Sequence, residues 1–371
     1  MERTFDTSCP STTGTLLPAT GRILVATDGT RDADGAVRVG LALARRDKIR
    51  TDLFSVVEPL TLFTPDGLPV PADADQLVDI TRESRQAELL TQRDRTHPGI
   101  REWPFDVAIG PRVETIVANA EQRHASLILL GLGAHGVSAR LMQRETALRV
   151  IRAASTPVLA LPSHAWGVPH TALAALDFTA SSEHAARTAL SLLGGQGTLY
   201  LAHVTPRTSI PQGDPRTWEE FMRTGISPKL VAVARGLEIP PGVRVEYVLL
   251  HGEPAHELLA FADERRIDLI AVGAHGRSAL GRLMLGSVST TLVRTAHRWV
   301  LVAPADRNAP PVCDDTASHN VWSCAPRRGP GRISAQCARP GCRRRPQRSS
   351  PPVCWRACGH PAPRGIGTSG T

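Results

Sequence analysis

The sequence predicts an α/β protein built from two tandem doubly wound parallel-sheet domains and a disordered C-terminal tail. Three observations predict it: an internal repeat, short apolar runs that alternate with longer amphipathic stretches in each copy, and a change of composition after Pro304. With 371 residues and 42% hydrophobic composition, the chain is long enough for two cores, since domains cluster near roughly 100–200 residues.

The internal repeat is clearest in the second half of each copy. Segment 110–162 aligns on 252–304 without a gap, at an offset of 142 residues that places Gly131 on Gly273. Upstream the offset drifts at the expected loops, and Asp28 pairs with Asp177 while Val57 pairs with Val204. The predicted organisation is a disordered N-terminus at 1–20, domains at 21–163 and 168–304, and a disordered tail at 305–371.

Alternating strands and helices are expected along both copies, which indicates βαβ units and a parallel sheet. The first copy begins with a strand at Arg22–Thr27, a helix at Ala33–Arg45 and a strand at Asp52–Val57, and a Pro- and Asp-rich surface loop follows from Pro59 to Asp75. In the second copy the predicted strands are Ala172–Leu176, Thr198–Val204, Arg244–Leu250, Leu269–Val272 and Trp299–Val302, with helices near 181–193, 215–235, 254–265 and 287–297.

Charge and cysteine are concentrated in the tail. Residues 305–371 hold eleven arginines and three aspartates, hence +8, which equals the net charge of the whole chain, so residues 1–304 are formally neutral. None of the seven cysteines lies between residues 20 and 304, which fits a reducing compartment. The first twenty residues have no apolar segment and no run of about 18 apolar residues occurs, so a cytoplasmic protein without a membrane span is expected.

A glycine loop in the second copy is the candidate ligand site. After the buried strand Leu269–Val272 come Gly273 and Gly276, then nine residues, then Gly286 and Ser287 at the start of a helix. A helix N-terminus offers unpaired backbone N–H groups to an anion, and glycine permits close approach. Asp177 ends the first strand of this copy, at the edge where open parallel sheets bind ligands.

This pattern resembles the universal stress protein family, whose ATP-binding members carry Gly-x2-Gly-x9-Gly-Ser/Thr after the fourth strand and an aspartate after the first. The resemblance covers each repeat and implies a Rossmann-like, adenine nucleotide alpha-hydrolase-like fold. It further implies that ATP with Mg²⁺ binds in the second domain only. The implied adenosine pocket is formed by Asp177, Val204 and Val272, the ribose and phosphate side by Gly273 and Gly276, and the phosphate site by Gly286, Ser287 and Val288.

The first copy departs from the pattern although it contains an identical Gly133-Ala-His-Gly136. At the ungapped offset Ala134 falls on Gly276, and Arg144-Glu145 replace Gly286-Ser287. A long cation and a carboxylate at the helix start would block the backbone and repel phosphate. A degenerate first site is therefore predicted, with Asp28, Val57 and Gly131 as its surviving counterparts.

Enzymatic alternatives find little support in the sequence. Gly131 to Gly136 spells G-x-G-x-x-G, but a dinucleotide fingerprint belongs at the first βα turn of its unit and not at a later one. His135 and His275 lie in the loops, where a histidine is more often structural than a general base. Residues 20–304 contain no carboxylate pair, no Ser-His-Asp arrangement and no metal cluster. Any ATP hydrolysis would therefore be slow.

The tail is rich in Pro, Arg, Gly, Ser and Cys and has no hydrophobic periodicity, so disorder is expected. Zinc at Cys337, Cys342, Cys354, Cys358 and His360 is disfavoured by irregular spacing and by the intervening arginines, and nucleic-acid binding by the tail is not favoured. A genuine disordered tail and a read-through or frameshifted extension stay open.

The function expected from the resemblance is ATP-responsive regulation or protection under stress. A scaffold that recognises a protein partner without nucleotide is the alternative, and a slow ATPase is the third hypothesis. By the same resemblance the two domains form an intramolecular pseudo-dimer through their last strands, Pro157–Leu161 and Trp299–Val302, and a further homodimer stays open.

Overall fold

The computed structural model describes residues 21–58, 74–99, 103–133, 137–205, 225–276 and 285–306. All of them belong to one compact unit. The expectations for residues 1–20, for most of the loop after Pro59, for His135 and for the tail beyond Asp306 concern residues outside these ranges.

The first repeat alternates strands and helices as predicted. Its elements are β1 (Arg22–Ala26), α1 (Asp34–Asp47), β2 (Arg50–Val57), α2 (Ala74–Thr96), β3 (Phe105–Ile109), α3 (Arg112–Gln122), β4 (Ala125–Leu132), α4 (Val137–Ala153) and β5 (Val158–Pro162). A short 3₁₀ turn at Arg31–Ala33 precedes α1. Helix α1 ends at Lys48, whose φ of 55° is the left-handed conformation that commonly terminates helices.

The second repeat follows the same order. Its elements are β6 (Thr171–Ala175), α5 (Ala180–Leu192), β7 (Gln196–Thr205), α6 (Ser227–Gly236), β8 (Gly242–His251), α7 (Pro254–Glu264), β9 (Leu269–Gly273), α8 (Ser287–Thr295) and β10 (Trp299–Ala303). Helix α5 begins with a capping box between Thr179 and Ser182. At α7, the Glu253 carboxylate accepts from two backbone N–H groups and Pro254 occupies the first helical position.

All ten strands form one sheet in the order β3-β2-β1-β4-β5-β10-β9-β6-β7-β8. Within each repeat every strand pair is parallel. In the first repeat the strand order reverses between β1 and β4, and in the second between β6 and β9. Such reversals create the crevices in which open α/β sheets bind ligands.

The sheet is covered on both faces, as a doubly wound fold requires. In β1, Ile23 and Val25 pack in one core layer, whereas Leu24 and Ala26 pack in the other. Each of the two layers contains residues of both repeats. The predicted fold class is thereby confirmed, whereas the boundaries 21–163 and 168–304 stay a prediction.

The two repeats meet where β5 and β10 pair antiparallel. Leu159 lies opposite Leu301, and every residue of both strands is buried. Because Leu159 and Leu301 are also equivalent positions of the repeat, a local twofold axis passes between them. The structure thus joins the two repeats through the strands that the sequence analysis named.

Candidate nucleotide site

A pocket with a volume of about 410 Å³ opens at the carboxyl ends of β6, β7 and β9. This volume lies within the range of roughly 300–1,000 Å³ typical of small-molecule sites. All eight residues predicted for the second-repeat site line it: Asp177, Val204, Val272, Gly273, Gly276, Gly286, Ser287 and Val288.

The Asp177 carboxylate is held by the chain that follows it. Its Oδ1 accepts hydrogen bonds from the Thr179 backbone N–H at 3.1 Å and from the Thr179 hydroxyl at 2.6 Å. The same Thr179 side chain caps α5, so the start of the helix also orients the carboxylate. Among the described residues that line this pocket, Asp177 is the only one with an acidic side chain.

Gly273 serves packing within the protein. A Cβ atom there would lie 2.5 Å from the Ser181 Oγ and 2.8 Å from the Ser182 backbone nitrogen. The first repeat has the same requirement at Gly131, where a Cβ would lie 2.7 Å from the Ala33 Cα. In both repeats, therefore, this glycine allows the chain that follows the first strand of the repeat, the 3₁₀ turn before α1 or the start of α5, to approach the sheet.

At Gly276 and Gly286 the described residues impose no comparable steric constraint. Neither glycine has a positive φ. The nearest atom to an added Cβ would be Asp177 Oδ2 for Gly276 and Ser289 Oγ for Gly286, each at 3.4 Å. Both glycines line the pocket. The space that their missing side chains leave is therefore space available to a ligand.

The loop that carries Gly286 is fixed to the end of β9. The Gly286 backbone N–H donates to the Ala274 carbonyl at 2.8 Å, and the Ser289 hydroxyl donates to the Gly273 carbonyl at 2.8 Å. Gly286 is the extended N-cap of α8 and brings no side chain to cap the helix. Ser287 is exposed at the first helical position. This geometry suits an anion, because the first-turn N–H groups point out of the helix.

The rest of the described lining is mostly apolar and includes residues that were not among the predicted site residues: Ala175, Leu176, Ala202, His203, Leu258 and Leu285. The His203 Nδ1 lies 2.6 Å from the Leu176 carbonyl oxygen, so this nitrogen must carry the proton to donate. Leu258 follows the helix-starting Pro254 by one turn, a signal that helical spacing could have supplied.

Two further groups stand close to the site. The His275 carbonyl accepts from the Ser181 hydroxyl at 2.8 Å, which ties the glycine loop to α5. Desolvation by burial raises the pKa of Glu183, next to Ser182, although the charge of Arg187 acts in the opposite direction. The described residues contain no group of three or more His, Cys, Asp or Glu side chains placed to hold a metal ion.

The corresponding pocket of the first repeat is much smaller, about 70 Å³. The Phe54 ring is fully buried in its wall, and Arg112 also lines it. Their equivalents in the second pocket are the small Ala202 and Pro254. Asp28 keeps the geometry of Asp177, since its Oδ1 accepts from the Thr30 backbone N–H and hydroxyl.

Two expectations about the first repeat require correction. Val57 is not the counterpart of Val204. The Gly110 N–H donates to the Val57 carbonyl, and the equivalent Gly252 N–H donates to the Thr205 carbonyl, so Val57 corresponds to Thr205. Val56 therefore lines the small pocket, while Val57 packs with Leu89 and Val107 on the other face. The cause is a one-residue slip, which turns each side chain to the opposite face.

The second correction concerns Arg144 and Glu145, which were expected at the start of a helix. They lie inside α4, which already begins at Val137. Without an extended glycine such as Gly286, the helix continues through the position at which the second repeat has its loop.

The sequence of each repeat matches one known family. The profile described as "Universal stress protein family" matches residues 20–162 and 170–304. A universal stress protein of Mycolicibacterium smegmatis is 27% identical over 289 residues, which cover 76% of this chain and 96% of the relative. Universal stress protein MJ0531 of Methanocaldococcus jannaschii is 32% identical over 105 residues, 28% of this chain and 61% of that protein.

The fold has a counterpart among solved structures. The crystal structure of a universal stress protein from Archaeoglobus fulgidus superposes with a TM-score of 0.55 at 19% identity and covers 79% of this chain and 100% of its own. No helix among the described residues is long and apolar enough to cross a membrane. With both repeats matched over most of their length, this chain belongs to the universal stress protein family.

Proposed function

We propose that the second repeat binds ATP with Mg²⁺ and that the chain uses this binding in stress response or its regulation. The observation that carries the proposal is the pair Gly276 and Gly286. Both lack a side chain where the pocket meets a helix N-terminus, and no backbone strain or packing of the described residues accounts for the glycines. A bound phosphate does account for them, because it needs close contact with backbone N–H groups.

The remaining walls suit the other parts of an adenine nucleotide. A flat apolar base fits beside Val204, Val272 and Leu258, and the Asp177 carboxylate can accept hydrogen bonds from ribose hydroxyls or from an adenine amino group. Mg²⁺ commonly binds through substrate phosphates with few protein ligands. The scarcity of carboxylates around the pocket is consistent with that mode.

The first repeat is proposed to have a structural role. Phe54 and Arg112 line a pocket of only about 70 Å³, and α4 is already helical at Arg144, the position at which the second repeat has the extended Gly286. The repeats at 21–163 and 168–304 then act as an intramolecular pseudo-dimer with one nucleotide per chain. Among the described residues that line the pocket, the Asp177 carboxylate is held by Thr179 and the His203 Nδ1 by the Leu176 carbonyl, so the proposed role is binding, without efficient hydrolysis.

Calorimetric titration of the full chain with ATP and Mg²⁺ tests the proposal. We expect one ATP per chain, and no measurable binding by Gly286→Arg, which copies Arg144 of the first repeat. Gly236→Arg is the matched control, since an added Cβ at Gly236 meets nothing within 4 Å, and it should bind as the unmodified chain does. Absence of heat with the unmodified chain, or unchanged binding by Gly286→Arg, would contradict the proposal.

A further inference from the structure

An ion pair crosses the seam between the repeats, which is the interface formed by the paired strands β5 and β10 and by the neighbouring helices α4 and α8. The Arg294 Nη2 on α8 lies 2.5 Å from the Glu145 Oε1 on α4. Helices α4 and α8 are in contact, so this pair belongs to a packed interface between the repeats.

The interface is symmetric about the axis between Leu159 and Leu301. The register pairs Val300 with Ala160 and Val302 with Val158, and at the repeat offset of 142 these two pairs exchange into each other. A contact across such an axis has a mate formed by the equivalent positions. The equivalent of Glu145 is Ser287, and the equivalent of Arg294 is Arg152.

By this equivalence Arg152 corresponds to Arg294, and Ser287 occupies the position in the second repeat that Glu145 occupies in the first. Arg152 lies in the last turn of α4 and is exposed. Among the described residues, no carboxylate forms an ion pair with it. Ser287 lines the pocket at the N-terminus of α8. The first repeat has the Glu145 carboxylate as the partner of Arg294. At the equivalent position for Arg152, the second repeat has Ser287, which lies at the edge of the proposed phosphate site.

The geometry points to Arg152 as a phosphate-binding residue supplied across the seam, whose guanidinium contacts the outer phosphates of the nucleotide at Gly286 and Ser287. This inference rests on the proposed function of the second repeat and adds a source of positive charge, since neither lysine nor arginine is among the described residues that line the pocket. A guanidinium matches phosphate oxygens in pairs, which makes arginine well suited to this position.

The inference makes the seam part of the site. The second repeat alone would hold the base, the ribose and the first-turn contacts to phosphate, whereas the charge for the outer phosphates would come from the first repeat. Selectivity for ATP over AMP and adenosine would then depend on Arg152, because only the longer phosphate chain reaches beyond the N-terminus of α8.

The test compares ATP with Mg²⁺, AMP and adenosine in titrations of the full chain and of Arg152→Gln. We expect Arg152→Gln to bind ATP about 10-fold more weakly, the usual effect of one hydrogen-bonded charge, and to bind adenosine as before. Arg149→Gln is the control, since Arg149 is exposed on the same helix and is 3.8 Å from Glu114. Arg152→Lys should recover part of the lost affinity.

Each result bears on the inference. If the unmodified chain binds ATP and Arg152→Gln binds it equally well, the inference is wrong while the proposed function stands. An equal loss for ATP and adenosine would show a structural effect and would also overturn it. If the unmodified chain binds none of the three ligands, the proposed function fails and the inference falls with it.

Discussion

Phe54 and Ala202 occupy the same place in the two repeats: the Phe54 carbonyl accepts from the Thr27 N–H at 2.9 Å, and the Ala202 carbonyl accepts from the Leu176 N–H at 2.7 Å. Both side chains are fully buried at the wall of their pocket. A difference of one aromatic ring at this position accompanies cavities of about 70 Å³ and 410 Å³.

Replacing Ala202 by phenylalanine should therefore reduce the larger pocket of the second repeat. We expect Ala202→Phe to reduce the affinity of the second repeat for ATP by more than about 100-fold, because the ring would occupy space that the nucleotide needs. Stability should change little, since the ring enters an existing cavity. Titration calorimetry and thermal unfolding measure the two effects, and undiminished ATP binding by Ala202→Phe would show that this wall does not face the ligand.

Phe54→Ala tests the packing role of the ring in the first repeat. Removal of a fully buried phenylalanine typically costs about 3–5 kcal/mol of unfolding free energy, through lost transfer energy and the remaining cavity. Equilibrium denaturation with urea measures the loss. A cost below about 1 kcal/mol would mean that the ring contributes little to this core.

The three glycines of the second site should separate into two classes. Gly273→Ala is expected to destabilise the fold by about 1–3 kcal/mol, because its Cβ would lie 2.5 Å from Ser181 Oγ. Gly276→Ala and Gly286→Ala should leave the unfolding free energy within about 1 kcal/mol and instead weaken ATP binding. Urea denaturation and calorimetry, applied to all three variants, check this division. The same behaviour in all three would remove the argument that Gly276 and Gly286 make room for a ligand.

Asp52 is a buried carboxylate whose loss should be costly. Its side chain is 1% exposed and pairs with Arg22 and Arg123 at 3.1 Å and with Arg50 at 3.3 Å. Asp52→Asn should lower the unfolding free energy by about 2–4 kcal/mol, because three guanidinium groups lose their shared counter-charge.

The matched control for Asp52 is Asp106, which contacts the same Arg123 at 2.6 Å but is 54% exposed. Asp106→Asn should cost less than about 1 kcal/mol, as exposed ion pairs contribute little. Urea denaturation of both variants gives the comparison, and equal costs would refute the weight assigned to burial.

His97 should make the fold sensitive to mild acid. Burial and the charges of Arg45 and Arg38 lower the pKa of His97 from 6.5 to about 4. Between these values the unfolded chain binds more protons than the folded chain, so stability is complete above pH 6.5 and falls as the pH approaches 4. Because the ring is only half-buried, solvent screening limits the expected loss to about 1 kcal/mol.

Urea denaturation of the full chain and of His97→Gln, between pH 7 and pH 4, isolates this contribution. The variant should lose less stability than the unmodified chain over that range. Parallel pH profiles for the two proteins would show that His97 does not titrate in the folded state as described.

The fold was predictable because the repeat and the apolar periodicity can be read directly from the sequence. The pocket was partly predictable for the same reason: Asp177, Gly273 and Ser287 follow strands whose carboxyl ends meet at one edge. Val57 was assigned to the wrong face because a gap of one residue cannot be placed by composition when valines occupy positions 56 and 57.

The closure of the first pocket could not be derived from the glycine pattern. Phe54 lies on a different strand, and its role depends on which face of β2 it occupies and on the volume around it. Likewise, the extent of α4 upstream of Arg144 depends on whether the chain leaves helical geometry, which the second repeat does at Gly286. Both features arise from tertiary packing.

Because the two repeats belong to one chain, the antiparallel pair of β5 and β10 joins two halves whose sequences can differ. In an assembly of two identical chains, any substitution appears on both sides of the axis, so a ring such as Phe54 would close both cavities at once. Here each side is encoded separately. A substitution can therefore alter one repeat while the other keeps its chemistry, whereas a change in the paired strands β5 and β10 affects both repeats.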